Sequence, residues 1–288
     1  MDLETLLLGI LQGITEFLPV SSSGHLKIGA ALLGIETPDL LFDIVLHVGT
    51  LLAVVLVYRE TLLTIARDLL KSLQILLRAG TLADALALQG TRLALLILTA
   101  TVPTGLIGLS LDEILDGPLV TPAIVGAALL VNGVILLASR RADARQQAQA
   151  GATSPAGPWS VWGLGLLGAL AVGVAQGIAV MPGLSRAGLT ITACLLLGVE
   201  RENAARFSFL LSIPAILGAL VLKFDPDLLS AAQADRLLRF GFGAFVAFVV
   251  GAFSLLLLIK VLQQARFHYF AWYCFVVGAA AIILTWPR

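Results

Sequence analysis

An apolar run from Leu3 to Leu33 is broken in its middle by QGITEFLPVSSSGH, residues 12–25, and no other stretch restricts the fold of this chain more. Pro19 removes a backbone hydrogen bond and kinks or ends a helix. Around it stand the carboxylate of Glu16, the hydroxyls of Ser21, Ser22 and Ser23, and the imidazole of His25. The solvent for this run is lipid. Of the 288 residues, 59% are hydrophobic and only 12% charged, with a mean hydropathy of +0.99; a soluble domain carries roughly twice that charged fraction. In lipid each polar group costs free energy unless it has a partner or a task, and irregular backbone is tolerated only where it lines a cavity. Leu3–Leu33 therefore reads as two half-length helices forming a re-entrant hairpin, with Ser22 or Ser23 capping the second.

A second long apolar stretch, Val161–Leu197, is broken in the same way at Pro182-Gly183. The two align as LGILQGITEFLPVSSSGHL and VGVAQGIAVMPGLSRAGLT: Gln12 with Gln176, Pro19 with Pro182 after a one-residue gap, Ser22 with Ser185. Each precedes three apolar segments of spanning length, residues 40–58, 93–111 and 123–138 in the first half and 207–222, 240–262 and 268–286 in the second. The expected fold is an all-α polytopic membrane domain over 1–288, with six transmembrane helices and two re-entrant hairpins. The first repeat is 1–138, with its hairpin at about 3–33; a polar cytoplasmic linker occupies 139–158; the second repeat is 159–288, with its hairpin at about 161–197. Three spans are an odd number, so the second copy enters upside down and the hairpins meet near the midplane, as in transporters built from inverted repeats. Residues 59–78 are amphipathic and are expected to lie along the membrane surface. Placing the loops at 59–92, 139–158, 200–206 and 260–266 on the cytoplasmic side puts twelve Lys and Arg there against four outside, which fixes the orientation.

The second cluster adds a cation. Arg186 offers a planar fork for phosphate oxygens and stays charged when desolvated, and Ser185 with the N–H groups of a helix beginning near Leu184 adds donors. Glu16 suits a hard divalent cation, His25 suits proton exchange near neutrality, and the serines are candidate nucleophiles. A carboxylate, a hydroxyl near an imidazole, and an arginine are what metal-assisted phosphoryl transfer requires. The same inverted repeat also serves a secondary transporter or lipid flippase, in which Glu16 and Arg186 bind cargo without bond breaking. Asp43 and His47, near the start of the first span, read as interfacial. A net charge of +0 without basic runs gives no nucleic-acid partner.

GITEFLPVSSSGH and MPGLSRAGLT, with FDIVLHVGTLLAV and RFSFLLSIP, resemble the undecaprenyl pyrophosphate phosphatases of bacteria over essentially the whole chain. The resemblance implies a multi-pass enzyme of the bacterial inner membrane, with its active site towards the outer face. It would remove the terminal phosphate of undecaprenyl pyrophosphate with the help of Mg²⁺ or Ca²⁺, and so recycle the lipid carrier of cell-wall synthesis and confer bacitracin resistance. The implied partners are a polyprenyl pyrophosphate and membrane lipids, with a second copy of the chain as a candidate. Carried over residue by residue, the family motifs place Gln12 and Glu16 at the metal and Glu16, Ser22, His25 and Arg186 in catalysis. Ser21, Ser23, Gly183, Ser185 and Thr190 fall at the substrate. Gln12 and Ala187 depart from the family's charged and hydroxyl-bearing alternatives, leaving Glu16 the sole carboxylate of its pair. Ser22 is the preferred nucleophile, with His25 as its base and then as acid for the leaving group; direct attack by His25 and water activated by His25 stay open beside it.

Overall fold

The computed structural model describes residues 3–33, 40–115, 121–148, 161–223 and 234–285. Among these there is no strand, and twelve α-helices carry the chain. They are α1 (Leu3–Thr15), α2 (Ser22–Leu33), α3 (Leu40–Val57), α4 (Arg59–Leu77), α5 (Leu82–Ala87), α6 (Gln89–Leu115), α7 (Pro122–Ala148), α8 (Leu166–Ile178), α9 (Arg186–Leu196), α10 (Arg201–Lys223), α11 (Ala234–Gln263) and α12 (Phe270–Thr285). Five stretches are long and apolar enough to cross a membrane by themselves, within α6, α7, α10, α11 and the turn-plus-helix ending in α12. The sixth expected span, α3, runs into α4 through a 76° bend at Tyr58. The bend turns an amphipathic helix out of the spanning direction, as the alternation of Leu62, Leu63 and Leu70 with Arg67, Asp68 and Lys71 requires. Ser72 anchors α4 by donating to the Ala85 carbonyl at 2.9 Å, and Asp68 does so by accepting from Gly90 N–H at 2.8 Å.

Both broken stretches are pairs of short helices. α1 and α8 are each 13 residues long and end three or two residues beyond Gln12 and Gln176. Each bend contains one left-handed residue, Ser21 (φ 69°) and Gly183 (φ 97°). The cap of α2 is Ser21, and neither Ser22 nor Ser23. Its Oγ accepts from Gly24 N–H at 3.3 Å, because the turn closes one residue earlier than the proline alone suggests. The Ser22 side chain is thereby released from capping. α7 also departs from expectation. It continues through residues 139–148, the first half of the expected linker, because Ala, Arg and Gln propagate a helix well beyond the apolar layer. The remainder of that linker, 149–158, lies outside the described residues.

Helix pairs approach through glycines, since lipid supplies no hydrophobic drive and close backbone packing must substitute. A Cβ on Gly173 of α8 would stand 2.1 Å from the Ala100 carbonyl oxygen of α6, and one on Gly49 of α3 would stand 2.2 Å from the Ala244 oxygen of α11. α1 lies along α11 through Gly9 and Gly13, as α8 lies along α6 through Gly173 and Gly177. The two halves differ in one respect. α11 packs along the length of α3, whereas α6 touches α10 only locally, and a cavity opens between them.

Gly173→Val should destabilise the protein by about 1–3 kcal/mol, the usual cost of overpacking, read as a lower thermal midpoint in detergent. Gly218→Ala, where an added Cβ meets nothing within 4 Å, should leave the midpoint unchanged or higher.

Candidate active site

The hairpin bends meet around one carboxylate. Phe17, fully buried, drives the first bend into the core and packs edge-on against Phe209 of α10 at 5.4 Å. The Arg186 guanidinium lies over the same Phe209 ring, 5.7 Å from its centroid. One aromatic ring thus locates both the segment carrying Glu16 and the helix start carrying Arg186. Phenylalanine is suited to that task because its quadrupole attracts the cation while its faces stay apolar.

Glu16 is almost wholly buried and uses both oxygens. Oε1 accepts from Arg186 Nη2 at 2.5 Å. Oε2 accepts from the Ser22 hydroxyl at 2.6 Å and from the Gln12 amide at 3.1 Å, and His47 Nε2 stands 3.5 Å from it. A buried carboxylate with a charged partner and several donors is held ionised, and the arrangement leaves Arg186 Nη1 as a further buried donor without a hydrogen-bond partner. These groups edge a cavity of about 350 Å³. It is lined by the polar or charged Glu16, Ser22, Ser23, Asp43, His47, Thr104, Gln176, Ser185, Arg186 and Ser212, and by apolar groups that include Ile44 of α3 with Ala215, Ile216 and Ala219 of α10.

Not every expected residue reaches this cavity. Ser22, Ser23, Ser185, Glu16 and Arg186 line it. Ser21 does not: its hydroxyl accepts from Gly183 N–H at 3.0 Å and ties one bend to the other, which also consumes the Gly183 donor expected for a phosphate. Thr190 is fully buried, bonding the Arg186 carbonyl at 2.7 Å and Ser208 Oγ at 2.5 Å, so it supports the helix behind Arg186. Gln12 donates its amide NH₂ to Glu16, since a carboxylate can only accept, and its carbonyl oxygen is buried without a hydrogen-bond partner. His25 is turned away from Ser22. Its Nδ1 donates to the Ser21 carbonyl at 2.8 Å, and Nε2, left as the acceptor of a neutral ring, takes the Tyr273 hydroxyl at 2.8 Å with the two rings stacked. Ser22 and His25 lie within one turn of the same helix, but the Ser21 carbonyl four residues back captures the imidazole.

The imidazole beside the carboxylate is His47, which the sequence reading left at the interface together with Asp43. His47 Nδ1 donates to the Asp43 carbonyl at 2.8 Å, which turns Nε2 towards Glu16. The available signal was the i, i+4 spacing of a carboxylate and an imidazole on one face of an otherwise apolar helix, since ionisable groups inside a span seldom stand there without a function. Among the described residues no cluster of three or more His, Cys, Asp and Glu could hold a metal ion on its own. Glu16, Asp43, Ser22 and Ser23 all line the cavity, and their oxygens are of the type a hard cation takes when its other ligands come from phosphate.

Replacing Arg186 with Ala should cost about 3 kcal/mol by leaving Glu16 buried and uncompensated. Glu16→Gln combined with Arg186→Ala should recover part of that loss in the thermal midpoint, the signature of a coupled pair.

Residues 5–280 match the family described as bacitracin resistance protein BacA. An undecaprenyl-diphosphatase of Desulfosudis oleivorans is 42% identical over 93% of both chains, and one of Desulfatibacillum aliphaticivorans is 41% identical over the same shares. An undecaprenyl-diphosphatase of Alcanivorax borkumensis is 37% identical over 91% of this chain and 90% of its own.

Proposed function

The chain belongs to the bacitracin resistance protein BacA family, and on that premise we propose that it is an integral membrane phosphatase converting undecaprenyl pyrophosphate to undecaprenyl phosphate and inorganic phosphate. The observation that carries this reading is the carboxylate of Glu16, bonded at once by a hydroxyl and a guanidinium from two different hairpins, at a cavity that Ile44, Ala215, Ile216 and Ala219 also line. A prenyl pyrophosphate has the matching form, a charged end on a hydrocarbon chain. The prenyl tail lies against Ile44, Ala215, Ile216 and Ala219, and the diphosphate rests at Ser22, Ser185 and Arg186. The excess of basic residues in the loops read as cytoplasmic supports a site that opens towards the outer face of the bacterial inner membrane.

In this reading Arg186 holds the phosphates through a charge-assisted fork, with Nη1 available beside the Nη2 now on Glu16. Ser22 attacks the terminal phosphorus, and its proton passes to Glu16 Oε2, already at hydrogen-bond distance. The bond from that phosphorus to the bridging oxygen breaks, and undecaprenyl phosphate leaves with the bridging oxygen. Water then attacks the phosphoserine, releasing inorganic phosphate, and the Ser22 oxygen recovers a proton from Glu16. His47, oriented by Asp43, faces the same carboxylate and compensates its charge as the proton moves. Glu16, with Asp43 lining the same cavity, would hold a Mg²⁺ or Ca²⁺, which when bound neutralises charge on the phosphate oxygens. His25 serves as a buttress between α2 and α12.

Detergent-purified protein should release inorganic phosphate from a C55 prenyl pyrophosphate with Mg²⁺ or Ca²⁺ and should stop in EDTA. Glu16→Ala and Arg186→Ala should each lower kcat/KM by about 10²-fold or more, and Ser22→Ala should abolish a phosphoenzyme trapped by acid quench. Absence of release from folded wild-type protein, in a medium without any gradient, would count against the phosphatase and for a carrier.

A further inference from the structure

Asn132 is the sole polar side chain between Pro122 and Ala138, in the middle of a spanning helix, and it is completely buried. An amide in such a place costs free energy unless both its ends are satisfied. Both are, and by different hairpins. Nδ2 donates to the Pro19 carbonyl at 2.8 Å, and Oδ1 accepts from Ser185 N–H at 3.0 Å. These are groups that the bends themselves leave without helical partners: the carbonyl of the residue that breaks the first stretch, and the cap N–H of α9. Pro19 lies three residues from both Glu16 and Ser22, and Ser185 immediately precedes Arg186.

The amide stands on a stiff support. A Cβ on Gly126 of α7 would lie 2.7 Å from the Gly278 oxygen of α12, and one on Gly278 equally close to the Gly126 oxygen, so the two backbones are in contact. A Cβ on Gly188 would come within 3.0 Å of Asn132 Oδ1, so α9 also closes directly on the amide. Cys274 of α12 faces the same group, taking a 3.3 Å contact from Nδ2. The Ser21 to Gly183 bond joins the bends to each other, Phe209 packs against both from α10, and Asn132 refers both by hydrogen bonds to α7.

We propose that Asn132 is a positioning residue of the phosphatase site: it sets the register of the two hairpins so that Ser22 and Arg186 converge on one phosphate. This rests on the phosphatase reading. It predicts a loss in the chemical step rather than in binding, because a displacement of about 1 Å between nucleophile and phosphate clamp costs about 10²-fold in rate, while Arg186 still captures the diphosphate.

The test is steady-state kinetics on the full-length protein in detergent with C55 prenyl pyrophosphate, comparing wild type, Asn132→Leu and Asn132→Asp, each checked for folding by thermal midpoint. Asn132→Leu matches the shape and removes both bonds; its kcat should fall about 10- to 100-fold with KM within about threefold. The acid form of Asn132→Asp carries an O–H donor and a carbonyl acceptor in the places of the amide, whereas its anion has lost the donor to Pro19. The ratio of its kcat to that of the wild type should therefore be highest at about pH 5 and fall towards about pH 9. Folded Asn132→Leu with wild-type kcat overturns the proposal. Should Asn132→Leu not fold, the aspartate variant decides, and a ratio independent of pH overturns it. An inactive wild type refutes the phosphatase reading itself, a separate and distinguishable result.

Discussion

The contact between Glu16 and Arg186 is the constraint on which the rest of the site depends. Two opposite charges are withdrawn from water inside a lipid-embedded protein, and neither is tolerable there alone. Each reaches the other only because a helix has been broken: Pro19 ends the segment that carries Glu16, and Pro182-Gly183 precedes the helix that Arg186 begins. The broken backbone in turn leaves carbonyl and N–H groups without helical partners. Asn132, Ser21 and Ser185 satisfy several of these within the protein. Local disorder of secondary structure is thus exchanged for long-range hydrogen bonds, and those bonds fix the site.

The cavity beside the site arises where two sets of helix contacts differ. The short helices α1 and α8 lie against α11 and α6 in matching glycine-mediated contacts, but α11 continues along α3 while α6 stands away from α10. The cavity brings Glu16, Arg186, Asp43 and His47 together with the alkyl groups of Ile44, Ala215, Ile216 and Ala219. A water-soluble phosphate would gain nothing from those alkyl groups, whereas a lipid phosphate would bury hydrocarbon against them.

Reading the sequence recovered the helices well because periodicity and apolar run length are local properties. The five long spans and the bent sixth fall where expected, and both interruptions are short helix pairs. The end of α7 was placed ten residues early, since loss of hydropathy was taken for loss of helix, and a helix can leave the apolar layer intact. Within the site, the gathering of Glu16, Ser22 and Arg186 was legible from the cost of placing such groups in lipid. That Ser21 bonds Gly183, and Thr190 bonds Ser208, was not, because residue type does not reveal which partner a hydroxyl or N–H takes.

By itself the sequence determined that this chain is a helical membrane protein, that two stretches break, and which charged residues lie at the breaks, because composition, proline and hydropathy act over short distances. Only the tertiary structure decided which imidazole faces the carboxylate. His25 is three residues from Ser22 yet is held by Tyr273, 248 residues away, while His47 comes from another helix to stand beside Glu16. It also decided that one amide on α7 serves both bends. Hydrogen-bond partners are chosen by packing between helices, and that choice is a property of the folded whole.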